Sequence, residues 1–172
     1  VIVIAPGKSP QSISTVGSSV VVLDEKFFKE TNEIFLGDAL SSNSTSINFF
    51  QNGGYGSTSA IQLRGLPKRY STVFIDGVKM SDPSSVSGDF DFNHILVSQI
   101  DRVEILKGNQ SSVYGSGAIG GTINITTKKF SDKEEQSFNL SNGSNSTRNI
   151  SFQKSKELER SNFFISLDRF ST

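Results

Sequence analysis

Two stretches of sequence decide the fold of this chain, Ile100 to Gly108 (IDRVEILKG) and Ala118 to Thr126 (AIGGTINIT). Within the first, Asp101 to Leu106 alternates polar and apolar residues, and Thr122 to Thr127 does the same within the second. A period of two is that of a β-strand, whose successive side chains point to opposite faces. Both stretches are therefore predicted strands, and the chain is predicted to be built on sheet.

Short strands and short helices are predicted on the N-terminal side of these two stretches. Val20 to Leu23 is an apolar run, and Asp24 follows it where a helix N-cap is expected. A second helix is predicted from Glu33 to Leu40, with Thr31 or Asn32 as its cap. The apolar residues of both helices are predicted to pack in a core.

A hairpin is predicted from Val73 to Met80, because two β runs flank an Asp-Gly turn. Ile61 to Gly65 alternates like a strand, whereas Ser41 to Ser59 is rich in Ser, Asn and Gly around Phe49 and Phe50, and Gln51 to Gly56 within it is a predicted loop. Short strands mixed with short helices predict an α+β domain that ends near Lys129.

Beyond Lys129 the pattern changes to three segments of period two. Asn142 to Ser146 separates the first two, and the charged stretch Lys154 to Arg160 separates the last two. One apolar and one polar face suit a transmembrane barrel strand, but a soluble antiparallel sheet has the same alternation. The apolar positions are Phe138, Leu140, Ile150, Phe152, Phe163, Ile165 and Leu167.

Composition excludes several classes of function. Lys plus Arg and Asp plus Glu both total 17, so no net charge favours nucleic acid. The chain has no cysteine and one histidine, His94, which excludes thiolate chemistry and multi-histidine sites. Asp82, Asp89 and Asp91 lack the spacing of an EF-hand. We therefore predict no catalytic residue, no metal and no cofactor.

Gly115 to Gly120 (GSGAIG) matches the dinucleotide fingerprint G-x-G-x-x-G. That motif requires a helix after it, whose amides meet the pyrophosphate. Here a strand-like sequence follows from Gly121. A nucleotide site is therefore rejected.

Five segments stand in the order and spacing of the plug domain of TonB-dependent receptors, which this chain resembles. They are IQLRG (61–65), VFIDGV (73–78), IDRVEILKG (100–108), SVYG (112–115) and AIGGTINIT (118–126). The resemblance implies an α+β plug domain, a small mixed sheet with short helices, over residues 8–130. It implies that residues 131–172 are the first antiparallel strands of a transmembrane β-barrel, incomplete because even small barrels need about eight strands.

Residues 1–7 resemble the TonB box, the energy-coupling segment that precedes such plugs. The resemblance implies that TonB, in the periplasm, pairs with this segment as an added strand, which suits β-branched residues. We expect the segment to lie outside the folded plug. The predicted coupling residues are Val1, Ile2, Val3, Ile4 and Ala5.

The resemblance also implies a ligand site in two apex loops. It places there Gln51, Asn52, Gly53, Gly54, Tyr55, Ser57, Ser81, Asp82, Ser84, Ser85 and Ser87. Arg64, Glu104 and Lys107 are predicted to make ionic contacts between plug and barrel. The family usually has Arg-Gly-Pro where this chain has Lys107-Gly108-Asn109, and Lys lacks the bidentate fork of Arg.

The function implied is active uptake of a scarce nutrient through the outer membrane of a Gram-negative bacterium, and not an enzyme activity. Partners are TonB, a small-molecule ligand, the receptor's own barrel and the outer membrane, with no nucleic acid. A cobalamin-like ligand is favoured over an iron-siderophore, because QNGGYGS and SDPSSVSGD are similar to loops of cobalamin receptors. The alternative is a soluble periplasmic binding or adhesion module with a plug-like fold.

Overall fold

The computed structural model describes residues 2–4, 9–43, 46–85, 88, 90–129, 134–158 and 161–172. The chain divides into two compact units, Val1–Thr127 and Lys128–Thr172. The division lies close to the predicted end of the plug domain, and residues 2–4 belong to the first unit.

The secondary structure consists mainly of short strands. The helices are α1 (Glu25–Glu30), α2 (Leu36–Asn43) and α3 (Ser111–Tyr114). The strands of the first unit are β1 (Ile2–Val3), β2 (Gln11–Ser12), β3 (Ser19–Leu23), β4 (Ile47–Gln51), β5 (Ser59–Leu63), β6 (Ser71–Ile75), β7 (Val78–Met80), β8 (Ile100–Lys107) and β9 (Gly121–Thr127). Those of the second unit are β10 (Glu135–Asn142), β11 (Arg148–Leu158) and β12 (Ser161–Ser171).

A five-stranded mixed sheet with the order β3-β8-β9-β6-β7 organises the first unit. β6 and β9 run parallel, and the other neighbouring pairs are antiparallel. The predicted hairpin is β6 and β7, and its turn residues Asp76 and Gly77 both have positive φ, as a type I′ turn requires. The predicted mixed sheet with short helices is confirmed.

The core lies against one face of this sheet. Val103 pairs with Ile125 and Ile105 with Ile123 across β8 and β9, and all four side chains are buried. Helix α2 buries Leu36 and Leu40 in the same cluster. The first helix begins as predicted, because the Asp24 side chain accepts a hydrogen bond from the Phe27 amide at 3.1 Å.

The second helix was predicted three residues too early at both ends. It runs from Leu36 to Asn43, because the backbone before it makes tertiary hydrogen bonds. The Ile34 carbonyl accepts from the Val97 amide and the Leu36 amide donates to the Ile95 carbonyl, both at 2.9 Å. Thr31 caps the end of α1 instead of starting α2.

The Ser-, Asn- and Gly-rich stretch from Ser41 to Ser59 contains the strand β4, which ends at Gln51, where the predicted loop begins. β4 pairs antiparallel with β5, with Ile47 opposite Leu63 and Phe49 opposite Ile61. Phe49 can pack here because Gly37 of α2 has no side chain, and a Cβ on Gly37 would lie 2.3 Å from the Phe49 ring. The aromatic residues Phe49 and Phe50 therefore lie in a strand although the surrounding composition is typical of a loop.

Gly121 allows β9 to enter the sheet beside β8. Its φ is +143°, and a Cβ on it would lie 2.1 Å from the Leu106 carbonyl oxygen and 2.9 Å from the Leu63 side chain. The first contact is with backbone of the neighbouring strand, which cannot move away without breaking the ladder. This position therefore requires glycine.

The second unit is a three-stranded antiparallel sheet whose apolar face is exposed. Phe138, Phe152 and Leu167 are cross-strand neighbours, and Phe138 and Leu167 are 65% and 64% exposed. On the opposite face of β11, Ser151 and Gln153 are buried. A soluble sheet packs its apolar face on a core and solvates its polar face, so this sheet has the reverse polarity.

One boundary in the second unit differs from the prediction. Lys154 to Arg160 was expected to separate two segments, but β11 continues to Leu158. Lys156 takes part in the ladder opposite Phe163 and makes an ion pair with Glu134 at 3.6 Å. In the described part of the chain, no helix is long and apolar enough to cross a membrane.

We predict that Gly121→Ala lowers the free energy of unfolding by at least about 2 kcal/mol, because the new Cβ strains the backbone and overlaps the Leu106 carbonyl. Urea unfolding of the chain followed by circular dichroism measures this loss. Gly17→Ala is the matched control, since nothing lies within 4 Å of a Cβ there. Equal stability of the two variants would contradict the proposed close approach.

Candidate functional site

The first predicted apex loop joins β4 to β5 and is held by its own backbone. The Asn52 amide donates to the Thr58 carbonyl and the Ser57 amide to the Gly54 carbonyl, both at 3.1 Å. Tyr55 is half exposed, and its ring centroid lies 5.2 Å from that of Phe35. The loop is therefore an ordered, exposed surface of amides, hydroxyls and one aromatic ring.

An open pocket of about 360 Å³ lies beside this loop. Its wall comes from both strands and from the chain after them, and it includes Phe50, Asn52, Thr58, Gln62, Pro67 and Lys68. An aromatic ring together with amides and a lysine can contact both apolar and polar parts of an organic molecule.

The second predicted apex loop follows β7. The Ser84 amide and hydroxyl both donate to Asp82 Oδ1, at 2.8 and 2.6 Å, and the Ser85 amide donates to the Asp82 carbonyl at 3.2 Å. The Ser84 hydroxyl and then its amide lower the pKa of the Asp82 carboxyl. Ser81 is exposed, whereas Ser87 lies outside the described residues.

The structure brings the bases of the two loops together. The Ser59 hydroxyl, at the start of β5, donates to Asp91 Oδ1 at 2.5 Å and accepts from the Phe92 amide at 3.0 Å. Asp91 Oδ1 also accepts from the Asn93 amide at 3.1 Å. No local pattern in the sequence indicated this contact, because its partners are 32 residues apart.

The N-terminal segment is docked on the first unit, contrary to the expectation that it lies outside the folded plug. β1 pairs with β2, and the Val3 side chain is fully buried. The Ile4 amide donates to Glu104 Oε2 at 2.9 Å, and an Arg102 guanidinium nitrogen donates to the Ile2 carbonyl. Val1 and Ala5 lie outside the described residues.

Glu104 makes contacts within the first unit, and its predicted contact with a barrel stays a prediction. It is buried, and its Oε1 atom lies 2.9 Å from the Arg102 guanidinium. Burial, and secondly the charge of Glu104, raise the pKa of the Tyr114 hydroxyl. Its carboxylate therefore belongs to a buried network within the first unit. The alternation of β8 puts Arg102 and Glu104 on one face, a signal that could have indicated their pairing.

Arg64 and Lys107 lie at one place on the first unit. Arg64 is exposed with φ +56°, and its guanidinium lies 3.3 Å from the position of a Cβ on Gly108. Gly108 directly follows Lys107, the half-exposed last residue of β8. The Arg64 guanidinium thus lies beside the backbone that follows β8, next to Lys107 in the chain.

The remaining candidates from the sequence are structural. Asp76 accepts from the Thr127 amide and hydroxyl at 3.1 and 2.6 Å, which ties the β6-β7 turn to the end of β9. The glycine-rich segment from Gly115 leads through a short 3-10 turn into β9, not into an α-helix. Among the described residues, no group of three or more His, Asp or Glu side chains could hold a metal ion.

The chain belongs to the TonB-dependent receptor plug domain family, whose family model matches residues 12–122. It is 30% identical to the vitamin B12 transporter BtuB of Vibrio vulnificus (strain CMCP6) over 155 residues. The aligned residues are 90% of this chain and 25% of the transporter. It is 31% identical over 133 residues to BtuB of Vibrio cholerae (strain M66-2), over 77% of this chain and 21% of that protein. The chain thus spans about a quarter of these relatives.

Solved receptor structures share the fold. The ferripyoverdine receptor of the outer membrane of Pseudomonas aeruginosa superposes with a TM-score of 0.77 at 19% identity, over 93% of this chain and 20% of the receptor. The ferric yersiniabactin uptake receptor FyuA of Yersinia pestis superposes with a TM-score of 0.68 at 22% identity, over 87% of this chain and 23% of that receptor. The resemblance detected in the sequence is confirmed at the level of family and fold.

We predict that Glu104→Ala releases the N-terminal segment, because it removes the acceptor of the Ile4 amide and leaves Arg102 without its carboxylate partner. A nitroxide on Ile2→Cys reports this as increased mobility, and the chain has no other cysteine. Glu104→Gln retains an acceptor oxygen and should keep more of the docked state.

The control for this experiment is Glu30→Ala, which removes an exposed glutamate whose carboxylate lies 3.9 Å from Lys26. A label as immobile in Glu104→Ala as in the unsubstituted chain would show that the buried Val3, the pairing with β2 and the Arg102 contact hold the segment without Glu104.

Proposed function

We propose that this chain is the plug and the first barrel strands of a TonB-dependent receptor that imports a scarce nutrient through the outer membrane of a Gram-negative bacterium. Family membership supports the class of receptor. The observation that carries the membrane assignment is the reverse polarity of the second unit. Apolar side chains of all three strands are exposed on one face, and polar side chains of β11 are buried on the other.

That polarity favours the receptor over a soluble periplasmic module. A lipid-facing strand needs an apolar outer face, and the inner face of a receptor barrel meets water or the plug. The soluble module would expose Phe138, Leu140 and Leu167 to water. No observation specifically favours the module.

The two apex loops are proposed as the plug's share of the ligand site. The described parts of both loops are mostly polar and contain internal hydrogen bonds, and the bases of the loops are joined by Ser59 and Asp91. A cobalamin is the favoured ligand, because the relatives from Vibrio are named vitamin B12 transporters. An iron-siderophore is the second candidate, since the superposed receptors are named for ferric siderophores.

Energy coupling is proposed to act through the N-terminal segment. Pairing with TonB by strand addition uses backbone donors and acceptors, which tolerate varied side chains. In this structure the Ile2 carbonyl already accepts a hydrogen bond from Arg102, and the Ile4 amide already donates one to Glu104. The segment must therefore leave the plug before TonB can pair with it along the same backbone groups.

Arg64 and Lys107 are proposed to hold carboxylates of the receptor's own barrel. The proposal rests on the position of the Arg64 guanidinium beside Gly108 and on the positive charge of Lys107, the residue before it. Lys107 contributes a point charge without a planar fork, so its contact should be less directional than that of Arg64. Glu104 has no part in this proposal because it is buried with Arg102.

We predict that scrambling residues 52–58 and 81–89 in the full-length receptor weakens cyanocobalamin binding by at least about tenfold, because contacts at the apex are lost. Gln51 and Ser59 are kept, since they form the last pair of the β4-β5 ladder. Equilibrium binding to outer-membrane vesicles measures the affinity. Exchanging the exposed pair Lys26 and Glu30 is the control, and unchanged affinity in the scrambled receptor would remove these loops from the site.

We predict that Ile2→Pro leaves ligand affinity unchanged and abolishes accumulation of labelled cyanocobalamin in cells. Proline removes a backbone donor needed for strand pairing, and Ile2 is exposed and distant in sequence from both loops. Ile2→Val is the matched control, because it keeps a β-branched strand former. Uptake at the rate of the unsubstituted receptor would place the coupling function elsewhere.

A further inference from the structure

The contact between Ser59 and Asp91 joins the two apex loops where each meets the fold. Ser59 pairs with Gln51 at the last rung of the β4-β5 ladder, so loop residues 52–58 begin beyond it. Asp91 stands at the end of the second loop, followed by the buried Phe92. The contact therefore lies between the anchored ends of two exposed segments.

In this contact the Ser59 hydroxyl is both a donor and an acceptor; we call the bonds from Ser59 to Asp91 and Phe92 the clamp. The Ser59 hydroxyl uses its proton toward Asp91 Oδ1 and a lone pair toward the Phe92 amide. Ser59 is 3% exposed, so its hydroxyl cannot exchange these two partners for bulk water. Asp91 Oδ1 accepts both from the Ser59 hydroxyl and from the Asn93 amide, whereas Oδ2 lies 3.8 Å from His94 Nε2.

Each loop also has internal bonds that preserve its own shape. Asn52 bonds to Thr58 in the first loop, and Asp82 to Ser84 in the second. Such bonds do not set the separation between the loops. The bonds from Ser59 to Asp91 and Phe92 do, because they connect the two segments directly.

We infer that Ser59 and Asp91 are positioning residues for ligand recognition: they hold the two apex loops at the spacing at which one nutrient molecule contacts both. This inference rests on the proposed receptor function and deepens it. Without the clamp, the loops must be brought to that spacing on binding, and the entropy lost in doing so reduces affinity.

The test uses the full-length receptor in outer-membrane vesicles, with cyanocobalamin as the probe. We expect Ser59→Ala and Asp91→Ala each to weaken binding about tenfold, and the double variant to be no weaker than either, because both remove one shared contact. Asp91→Asn keeps Oδ1 as an acceptor and should bind within about threefold of the unsubstituted receptor.

Asp24→Ala separates positioning from stability. Asp24 also accepts a backbone amide hydrogen bond, at the start of α1, and its loss costs stability without touching either loop. We expect Asp24→Ala to lower the melting temperature and leave affinity unchanged. If it weakens binding as much as Asp91→Ala does, general destabilisation explains both effects and the inference is overturned.

A second measurement does not depend on the ligand. Nitroxides on Asn52→Cys and Ser84→Cys report the distance between the loops in the ligand-free receptor. We expect a narrow distribution that broadens in Asp91→Ala and Ser59→Ala but not in Asp91→Asn. Unchanged distributions overturn the inference. If the unsubstituted receptor binds no cyanocobalamin, the proposed ligand is wrong, and these distances alone decide whether the clamp exists.

Discussion

The structure of the first unit depends on the pairing of β8 with β9, two strands that are buried on both faces. Val103 and Ile105 meet Ile125 and Ile123 on one face and form the centre of the core. On the other face, Glu104 and Leu106 stand opposite Asn124 and Thr122. Because a buried carboxylate must be paired, the second face needs Arg102 and the backbone of the N-terminal segment.

This constraint links the folding of the plug to its proposed coupling function. The N-terminal segment is held through its backbone by Arg102 and Glu104 and through the buried side chain of Val3. A partner that pairs with the same backbone has to compete with these bonds. In the proposed coupling step, TonB therefore has to overcome the affinity of the plug for its own segment, and removal of Ile4 leaves Glu104 with one fewer donor.

The second unit differs from the first in where its apolar side chains lie. In the first unit apolar residues form the core, whereas in β10, β11 and β12 apolar residues such as Phe138, Phe152 and Leu167 lie on an exposed face. The same period of two serves both arrangements, since alternation fixes which residues share a face but not the solvent that the face meets. Burial of Ser151, Gln153 and Ser155 supplies that missing information and favours a lipid-facing apolar surface.

The sequence by itself determined the local elements and the family. Alternation predicted β8, β9 and the strands of the second unit. Asp24 predicted the start of α1, and the Asp-Gly turn predicted the β6-β7 hairpin. Each of these signals could be read from the sequence because it depends only on neighbouring residues. Tertiary structure alone decided the later start of α2, the strand around Phe49, the docking of Ile2 to Ile4 and the contact of Ser59 with Asp91. The residues joined are 12 apart for Phe49 and Ile61, 32 apart for Ser59 and Asp91 and 100 apart for Ile4 and Glu104, so no pattern among immediate neighbours shows these contacts and only the folded chain brings the groups together.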